Sequence, residues 1–497
     1  MITPNSLGLP YPTWRKDQLE TIEKISKSQK RIMVVEAPWG SGKSALAYGM
    51  LKYTGSKGYI LTSTKSLQNQ YMDSFEPAGL ETIYGRSNYY CVLPEEEKKR
   101  TTVNNAPCAS GWQCPQKINC PYFQQKEKVE KAHVSVFNNS YFLADLHGNV
   151  TFKNADWIVA DEGHLLDDAL CQDVVIPDSD LMVLRLLNTK DLTDVQTQVR
   201  QLVPKLEAMR ELSRGDPDYA RKKANEINSL SNGIKVLSLE KNTIIQYHID
   251  RRETTFSRIW PPNLEQTLLY QGNHKKLLIM SATILDPNVY AKIMGLKDYD
   301  YISVDSTFPI ENRPIYYRPA GNVVRDNLDK VSNTLARNID YILEENPDIK
   351  GIIHSHSFQL TDLVVSKLRN IGRVLVHTRD QDRTKLIKMF KESSLPVWLI
   401  SPSIAHGESF DYDLARAQVI LKMPFPDMGN QVIRVRMKEM KEYYDYKTMQ
   451  ELWQMCGRVV RSESDVAKSY ILDQKFEDLI DKHPNLVPKY IRPAIEF

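Results

Sequence analysis

A phosphate-binding loop is predicted at residues 37–44, which read Ala-Pro-Trp-Gly-Ser-Gly-Lys-Ser. Gly40 and Gly42 allow backbone N–H groups to curl around phosphates. Lys43 can then reach the terminal phosphates, and Ser44 can ligate Mg²⁺. An apolar run precedes the loop and a helix is predicted after it, so a chance match in a glycine-containing turn is the weaker interpretation. The segment predicts a site for ATP and Mg²⁺.

An acidic pair, Asp161-Glu162, ends the apolar run Trp157–Ala160. Carboxylates at the tip of a buried strand are costly unless they serve a site. Asp161 would hold Mg²⁺ through its water shell, and Glu162 would orient and polarise the attacking water. A strand-ending acidic turn is the alternative, which the preceding phosphate loop disfavours.

Two arginines and a glutamine near the end of the chain, Gln454, Arg458 and Arg461, stand at spacings of four and three. On a helix they would share one face. The arginines repel each other unless an anion lies between them, and a γ-phosphate held by another domain fits this requirement. A solvated basic face is the alternative for an isolated arginine pair.

Four of the six cysteines fall in one short segment between the phosphate loop and the acidic pair: Cys91, Cys108, Cys114 and Cys120. Four thiolates suit zinc or an iron–sulfur cluster. Structural zinc sites usually contain closely spaced cysteine pairs, which are missing here, so the spacing favours a cluster and leaves zinc open. Four unrelated thiols are the third interpretation. The remaining cysteines, Cys171 and Cys456, are interpreted as packing residues.

Alternating strands and helices must position these residues. Short apolar runs bounded by turns predict buried parallel strands in two blocks, at 31–36, 58–62, 157–160 and 276–280, and at 350–354, 373–377, 397–400 and 418–422. Helices are predicted between them, for example at 44–52, 361–370 and 384–391. This alternation predicts two doubly wound α/β domains. Residues 88–124, which hold the cysteines, show little strand signal, and residues 179–261 are polar and helical in pattern, with Val195, Val199, Leu202, Leu206 and Leu212 near helical spacing.

Composition restricts the class of protein only broadly. The 497 residues are 41% hydrophobic and 26% charged, which is ordinary for a globular protein, and a net charge of +3 neither requires nor excludes a nucleic-acid partner. No apolar run is long enough to span a membrane, and no signal peptide is evident. The clustered cysteines favour a reducing cytoplasm over secretion.

The order of these motifs resembles the superfamily 2 DNA helicases of the XPD/DinG type, which carry an iron–sulfur cluster. The resemblance covers nearly the whole chain. It rests on segments 11–18 (Tyr-Pro-Thr-Trp-Arg-Lys-Asp-Gln), 37–44, 62–68 (Thr-Ser-Thr-Lys-Ser-Leu-Gln), 84–91 (Tyr-Gly-Arg-Ser-Asn-Tyr-Tyr-Cys), 161–164 (Asp-Glu-Gly-His), 281–283 (Ser-Ala-Thr) and 454–461. The box Asp-Glu-Gly-His is a common variant of the family's Asp-Glu-Ala-His.

The resemblance implies two RecA-like P-loop motor domains, with an iron–sulfur insertion and a helical arch insertion in the first. The implied divisions are 1–87, 125–178 and 262–303 for the first motor domain, 88–124 for the cluster domain, 179–261 for the arch and 304–497 for the second motor domain. It implies ATP, Mg²⁺ and a 4Fe–4S cluster held by Cys91, Cys108, Cys114 and Cys120. It also implies movement from 5′ to 3′ on single-stranded DNA.

The resemblance further assigns site residues. Arg15 and Gln18 would recognise adenine, Thr62 and Thr64 would touch the DNA backbone, and Ser281 to Thr283 would couple hydrolysis to movement. Arg458 and Arg461 would act as arginine fingers. One place departs from the family pattern: aligned from Lys422-Met-Pro-Phe-Pro426, Ser409 stands where an aspartate is usual, and Asp411 is the substitute.

Aromatic and basic residues crowd the cysteine segment and predict a single-strand channel. Bases can stack on Tyr89 and Tyr90, while Arg86 follows the phosphates. The alternative is that the rings shield the cluster from water, and both roles fit different rings.

The predicted function is an ATP-dependent DNA helicase acting on single-stranded or forked DNA. A translocase that clears protein or RNA from DNA, and a cluster-containing nucleic-acid-binding redox sensor, are the rival hypotheses. RNA and R-loop substrates, the protein partners and the pathway stay open. We expect a cytoplasmic monomer without a membrane partner. The short flanks around the motifs indicate a compact family member, encoded by a virus or mobile element.

Overall fold

The computed structural model describes residues 2–148, 150–184, 191–403, 414–459 and 465–497. The strands in chain order are β1 (Ile32–Glu36), β2 (Gly58–Thr62), β3 (Leu80–Thr82), β4 (Val134–Asn138), β5 (Trp157–Ala160), β6 (Val174–Pro177), β7 (Thr243–His248), β8 (Glu253–Arg258), β9 (Lys276–Ser281), β10 (Asp300–Ser303), β11 (Ile315–Gly321), β12 (Gly351–His354), β13 (Val374–Val376), β14 (Trp398–Ser401), β15 (Ala417–Ile420), β16 (Lys468–Asp473) and β17 (Ile495–Glu496).

The α-helices are α1 (Gln18–Lys27), α2 (Lys43–Thr54), α3 (Lys65–Phe75), α4 (Pro94–Lys98), α5 (Pro121–Lys131), α6 (Asn139–His147), α7 (Leu166–Leu170), α8 (Asp178–Leu184), α9 (Leu192–Gly215), α10 (Pro217–Ile234), α11 (Pro287–Met294), α12 (Leu328–Glu345), α13 (Phe358–Val365), α14 (Arg383–Glu392), α15 (Gln431–Glu439), α16 (Tyr443–Cys456) and α17 (Lys475–Lys482). Among the described residues, none of the helices is both long and apolar enough to cross a bilayer.

The first large sheet contains seven parallel strands in the order β10-β1-β9-β5-β2-β4-β3. Its central strands are buried along their whole length, as expected for a sheet covered by helices on both faces. Because the strands are parallel, their carboxyl ends meet at one edge, where ligand sites of such sheets form. The phosphate loop follows β1 and the acidic pair follows β5, so the sheet brings both to this edge.

The second large sheet also has seven parallel strands, in the order β13-β14-β12-β15-β16-β11-β17. All eight apolar runs predicted as strands form strands, and their ends agree with the prediction to within two residues. The predicted α/β class with two motor-type domains is therefore confirmed.

The arch segment (residues 179–261) differs in part from its predicted helical character. Helices α9 and α10 pack together and bury Val195, Val199 and Leu206, but Leu212 faces solvent. Beyond them the chain forms β7 and β8, which pair antiparallel with each other, while β8 also pairs with β6. These strands are rich in β-branched and aromatic residues, which favour a pleated surface over a helix.

The cysteine segment (residues 88–124) folds into short helical turns and one antiparallel bridge between Tyr90 and Thr102. It is tied to the arch segment. Arg221 of α10 forms ion pairs with Glu95 at 3.3 Å and Glu96 at 3.2 Å, and Glu96 is buried. The N–H of Gln113 donates to the carbonyl oxygen of Arg214 at 3.1 Å. The cysteine segment and the arch segment thus contact each other.

Candidate active site

The phosphate loop has the backbone conformation that its glycines predict. Gly40 and Gly42 have φ values of 67° and 78°, in the left-handed region that glycine adopts without strain. A Cβ on Gly42 would also lie only 2.4 Å from Nε2 of Gln18. Helix α2 begins at Lys43, so its free N–H groups and the positive end of its dipole face the loop. This is a site for an anion.

The two residues predicted to recognise adenine lie beside the loop. Gln18 is buried, and its Nε2 donates to the carbonyl oxygens of Ser41 at 2.8 Å and Gly42 at 3.3 Å. Its Oε1 accepts from the backbone N–H of Arg15 at 2.8 Å, while the Arg15 side chain is exposed. The structure therefore brings Arg15 and Gln18 together with the phosphate loop.

Asp161 is joined to Ser44 through a residue that sequence reasoning missed. The hydroxyl of Tyr71, in α3, donates to Oδ2 of Asp161 at 2.8 Å, and Ser44 lies near enough to oppose the rise that burial causes in the pKa of this hydroxyl. Tyr71 is fully buried, and no local pattern marks it, because its carboxylate partner is 90 residues away in sequence. The oxygens of Ser44 and Asp161 thus converge, as a shared Mg²⁺ site requires.

The charge of Asp161 is held in an unfavourable environment. Burial raises the pKa of its carboxyl to about 6, the neighbouring Glu162 adds to the rise, and Lys43 opposes it. Lys43 and Glu162 thus both lie near enough to influence the charge of Asp161. Glu162 itself has a φ of 53°, a left-handed conformation that costs free energy outside glycine and that often occurs at functional sites.

His164 connects the acidic box to both motor domains. Its Nδ1 lies 3.0 Å from Oγ of Ser281, 3.2 Å from Oε2 of Glu162 and 3.2 Å from Nε2 of Gln454. Nε2 of Gln454 also donates to Oγ1 of Thr283 at 2.7 Å. One ring nitrogen has a single hydrogen or a single lone pair in the ring plane, so it cannot satisfy three partners at once. In any one protonation state Nδ1 therefore bonds only part of this set.

The segment that carries the arginines departs from the predicted single helical face. Gln454 lies on α16, but that helix ends at Cys456, so Arg458 lies in the turn that follows. Gly457 contacts the indole of Trp39 in the phosphate loop. This contact brings the turn with Arg458 to the loop. Arg461, Ser409 and Asp411 lie outside the described residues.

Helix α16 is fixed against the first domain by further buried contacts. Gln450 donates to the carbonyl oxygen of Thr283 at 2.8 Å, and Lys447 contacts Asp167 at 3.2 Å. Burial lowers the pKa of Lys447, but Asp167 and Asp168 more than offset this and raise it overall. A cavity of about 270 Å³ lies beside this helix, lined by His164, His354, His356, Lys422, Phe425 and Gln450 among others. The cavity adjoins His164 and does not reach the phosphate loop.

The four clustered cysteines are free thiols whose charges influence one another. Burial raises the pKa of Cys91 and Cys114 and raises that of Cys108 to about 11, which the cation of Arg86 opposes. Across the described part of the chain, no three His, Cys, Asp or Glu side chains are arranged to hold a single metal ion. The structure therefore leaves the choice between a cluster, zinc and unrelated thiols as the sequence left it.

The residues predicted to contact nucleic acid differ in how much of their side chains is exposed. Thr62 is fully buried, and its hydroxyl donates to the carbonyl oxygen of Phe137 at 3.1 Å, so its side chain does not face a nucleic acid. Thr64 caps α3 by accepting from the N–H of Leu67. Tyr90 is 63% exposed, whereas Tyr89 is half-buried with its hydroxyl accepting from Tyr84 N–H.

Arg86 is turned toward the cysteine segment's interior. Its guanidinium lies 5.5 Å from the ring centre of Tyr122, which is buried next to Tyr89. The aromatic rings were predicted either to stack on bases or to shield the cluster from water. The exposure of Tyr90 suits the first role, and the burial of Tyr89 and Tyr122 suits the second. Arg86 stands near enough to Cys108 to favour a thiolate there.

The fold and the site together define a two-domain P-loop motor. A DEAD/DEAH box helicase family model matches residues 15–177, and a helicase C-terminal domain model matches residues 342–494. A solved structure of an XPD helicase superposes with a TM-score of 0.67 at 17% identity, covering 97% of this chain and 99% of that one. The structure of S. tokodaii Xpd4 superposes with a TM-score of 0.59 at 17% identity, covering 97% of this chain and 99% of that one. This chain belongs to the XPD/DinG-type superfamily 2 helicases.

Curated relatives match this chain over shorter stretches. The ATP-dependent DNA helicase CHL1 of Eremothecium gossypii is 24% identical over 157 residues, which are 25% of this chain and 20% of that protein. The ATP-dependent DNA helicase YoaA of Haemophilus influenzae is 25% identical over 216 residues, 32% of this chain and 34% of that protein. The chain thus spans about a fifth to a third of the length of these relatives.

Proposed function

We propose that this protein is an ATP-dependent DNA helicase that moves from 5′ to 3′ on single-stranded or forked DNA. The observation that supports it most is that Gln454, from the second motor domain, contacts both His164 of the acidic box and Thr283 after β9. A nucleotide bound at the phosphate loop would therefore influence, and be influenced by, the position of the second domain. The divisions given above for the motor, cluster and arch domains are part of this proposal.

Each group at the loop has a proposed role. Lys43 and the N–H groups at the start of α2 bind the phosphates, and Glu162 orients the water that attacks the γ-phosphate. Ser44 and Asp161 would hold Mg²⁺, which neutralises charge on the phosphates when bound. Arg458, and Arg461 with it, would stabilise charge on the departing phosphoryl group from the second domain. Arg15 and Gln18 would select adenine.

The cysteine segment is proposed to hold a 4Fe–4S cluster through Cys91, Cys108, Cys114 and Cys120. When bound, the cluster would tie four separate points of a segment that has little regular structure of its own. Cys120 directly precedes α5, whose N-terminus favours negative charge at this thiolate. Arg86 would offset the negative charge near Cys108. Tyr90 and Thr64 are proposed to contact the DNA strand.

The nucleotide assignment is tested with Lys43→Ala. We expect ATP hydrolysis to fall below about 1% of wild type, because the phosphate charge loses its main cation, while binding of single-stranded DNA persists. Lys52→Ala, at the far end of the same helix, is the matched control and should hydrolyse ATP normally. Wild-type turnover in the Lys43 variant would exclude this loop as the active site.

The helicase assignment is tested on forked duplexes with a single 5′ or a single 3′ tail. Unwinding of the 5′-tailed substrate alone is the expected result. ATP turnover with removal of a bound protein but without strand separation would instead identify a translocase. Turnover that changes with the oxidation state of the cluster would favour the redox sensor.

The cluster is tested by iron content and the visible spectrum of anaerobically purified protein. Cys114→Ser should lose iron, whereas Cys171→Ser, outside the group, should keep it. A colourless wild-type protein that contains zinc would overturn the proposal.

A further inference from the structure

The arch segment is attached to the second motor domain, although its sequence is inserted in the first. Strand β8 ends at Arg258, and the next two residues are held by α15 of the second domain. Arg436 Nε donates to the carbonyl oxygen of Ile259, and the indole N–H of Trp260 donates to Oε2 of Glu439 at 2.6 Å. We call Ile259, Trp260, Arg436 and Glu439 the arch-base joint.

The joint is built around a buried cation. Arg436 is 2% exposed, and its guanidinium lies 5.4 Å from the ring centre of Trp260. It also pairs with Asp167 of the first domain at 3.5 Å. A buried guanidinium needs such partners, because leaving one donor unmatched is costly in a poorly solvated site. Arg436 therefore connects the arch, the first domain and the second domain at one point.

The chain enters the arch from the first domain and returns to it afterwards, but the residues at the leaving end contact the second domain. On the entering side, α7 leads into β6, and Arg258 of β8 donates to the carbonyl oxygen of Leu170 in α7 at 3.1 Å. On the leaving side, Pro261 and Pro262 follow Trp260 directly and limit the backbone's freedom to absorb a displacement. A change in the angle between the motor domains would thus move one attachment of the arch relative to the other.

The far part of the arch is attached to the cysteine segment. Arg221 pairs with Glu95 and Glu96, and a Cβ on Gly111 would lie 3.6 Å from Cγ of Arg210. The arch segment is therefore held at its base by the joint and at its far part by the residues next to the cysteines. A displacement at the base of the arch would therefore be transmitted through the arch to its contact with the cysteine segment.

We propose that Trp260 and Arg436 are positioning residues that make the arch move with the second motor domain. Opening and closing of the nucleotide cleft would then shift the arch against the cysteine segment. This inference rests on the proposed helicase function, because it assigns the step that converts cleft closure into strand separation. Neither residue is expected to take part in hydrolysis itself.

The test uses Trp260→Phe in the full-length protein. This change removes the N–H that donates to Glu439 and keeps an aromatic ring over Arg436. A hydrogen bond to a charged group is strong enough that its loss should lower the base pairs separated per ATP by about 10-fold. DNA-stimulated ATP turnover should stay within about 2-fold of wild type, since the phosphate loop is untouched.

A second variant and a control make the result decisive. Glu439→Ala removes the acceptor of the same bond and should give the same uncoupling. Lys292→Ala removes an exposed 2.7 Å ion pair with Glu442, which joins the two motor domains without involving the arch, and should stay coupled. Equal uncoupling in Lys292→Ala, or normal coupling in both joint variants, overturns the inference.

Hydrogen exchange of 94–113 and 210–221, with and without a nonhydrolysable ATP analogue, gives a readout independent of unwinding. We expect nucleotide-dependent protection in wild type and its loss in Trp260→Phe. If wild type binds the analogue but unwinds no duplex, the proposed function fails, while this exchange difference still decides the inference. A protection change that persists in Trp260→Phe would contradict it.

Discussion

Gly457 lies so close to Trp39 that a Cβ at position 457 would stand 2.2 Å from the indole ring. The indole of Trp39 is held on its other side by Tyr490, whose ring centre is 5.6 Å away in an edge-to-face arrangement. Trp39 belongs to the phosphate loop, and Gly457 precedes Arg458. The loop and the arginine-bearing turn therefore have a direct contact that tolerates only glycine.

Gly457→Ala is expected to push these two segments apart. The overpacking should lower the free energy of unfolding by about 1–3 kcal/mol and reduce ATP turnover, since Arg458 moves away from the loop. Trp39→Leu in the same chain should restore much of the lost turnover by making room. Gly372→Ala, with no neighbour within 4 Å of its Cβ, is the control that should behave as wild type. No rescue by Trp39→Leu would show that the contact is not responsible.

Gln454→Ala should uncouple the domains without preventing nucleotide binding. It removes the amide that reaches both His164 and Thr283, and loss of such a buried bond corresponds to roughly a 10–100-fold fall in DNA-stimulated ATP turnover. Binding of a fluorescent ATP analogue should remain unchanged. Gln450→Ala, one turn earlier, removes the bonds to the Thr283 backbone and to the Tyr446 hydroxyl and leaves the His164 contact in place. An equal fall in ATP turnover in that variant would assign the effect to the packing of α16 against the first domain and not to the His164 contact.

Asp161→Asn should abolish ATP turnover and yet stabilise the nucleotide-free protein. Because the folded-state pKa of Asp161 is raised to about 6, its ionisation opposes folding as pH rises from about 4 to about 6. Removing the charge should add about 1–3 kcal/mol to the free energy of unfolding near pH 8, and nothing near pH 4. Urea titration at both pH values measures this difference.

Asp156→Asn provides the comparison of opposite sign. Asp156 accepts from Lys275 and from the N–H of Lys57, and these partners, despite partial burial, lower its pKa. Its neutralisation should therefore destabilise the protein near pH 8. Stabilisation by both substitutions would indicate a general charge effect and not the burial of Asp161.

His274 makes the first domain sensitive to acid. It is buried beside Tyr59 and Phe142, and its Nδ1 accepts from the N–H of Ala155 at 3.1 Å. Burial lowers its pKa to about 4, with Lys57 adding to the effect. The pKa of His274 is lower in the folded protein than in the unfolded chain. The contribution of this neutral, buried side chain to the free energy of unfolding is therefore complete above about pH 6.5. It is lost as the pH falls toward 4, and the loss reaches about 3 kcal/mol.

His274→Asn keeps an acceptor for Ala155 and removes the titration. It should flatten the dependence of unfolding free energy on pH between about 4 and 6.5, although the smaller side chain lowers stability at every pH. Urea titrations across this range measure the slope. An unchanged slope would assign the acid sensitivity to other groups.

Local sequence patterns were sufficient for eight strands of the two large sheets and for the residues at the phosphate loop. Those eight strands are short apolar runs, and the carboxyl-edge rule then places Ser44 near Asp161. The other strands of these sheets, β3, β4, β10, β11, β16 and β17, were not predicted. The patterns were insufficient where a partner lies far along the chain. Tyr71 and Trp39 are examples, because a buried tyrosine hydroxyl or a tryptophan against glycine has no local signature.

Two other differences have physical causes. The strands β7 and β8 were expected to be helical, because the polar character of the whole arch segment concealed their β-branched residues. The burial of Thr62 could not be predicted, because it depends on β4 packing beside β2. The roles assigned to the site residues stay predictions until the variants above are measured.

Helix α3 has a consequence for how DNA and nucleotide affinities must relate. It begins next to Thr64, the proposed contact with the DNA strand, and two turns later it places Tyr71 against Ser44 and Asp161. A helix of this length moves as one rigid body. A DNA strand that shifts the first turn of α3 therefore also shifts the Tyr71 hydroxyl. Thermodynamic linkage then requires reciprocity: whatever factor DNA applies to the dissociation constant of ATP, ATP must apply to that of DNA.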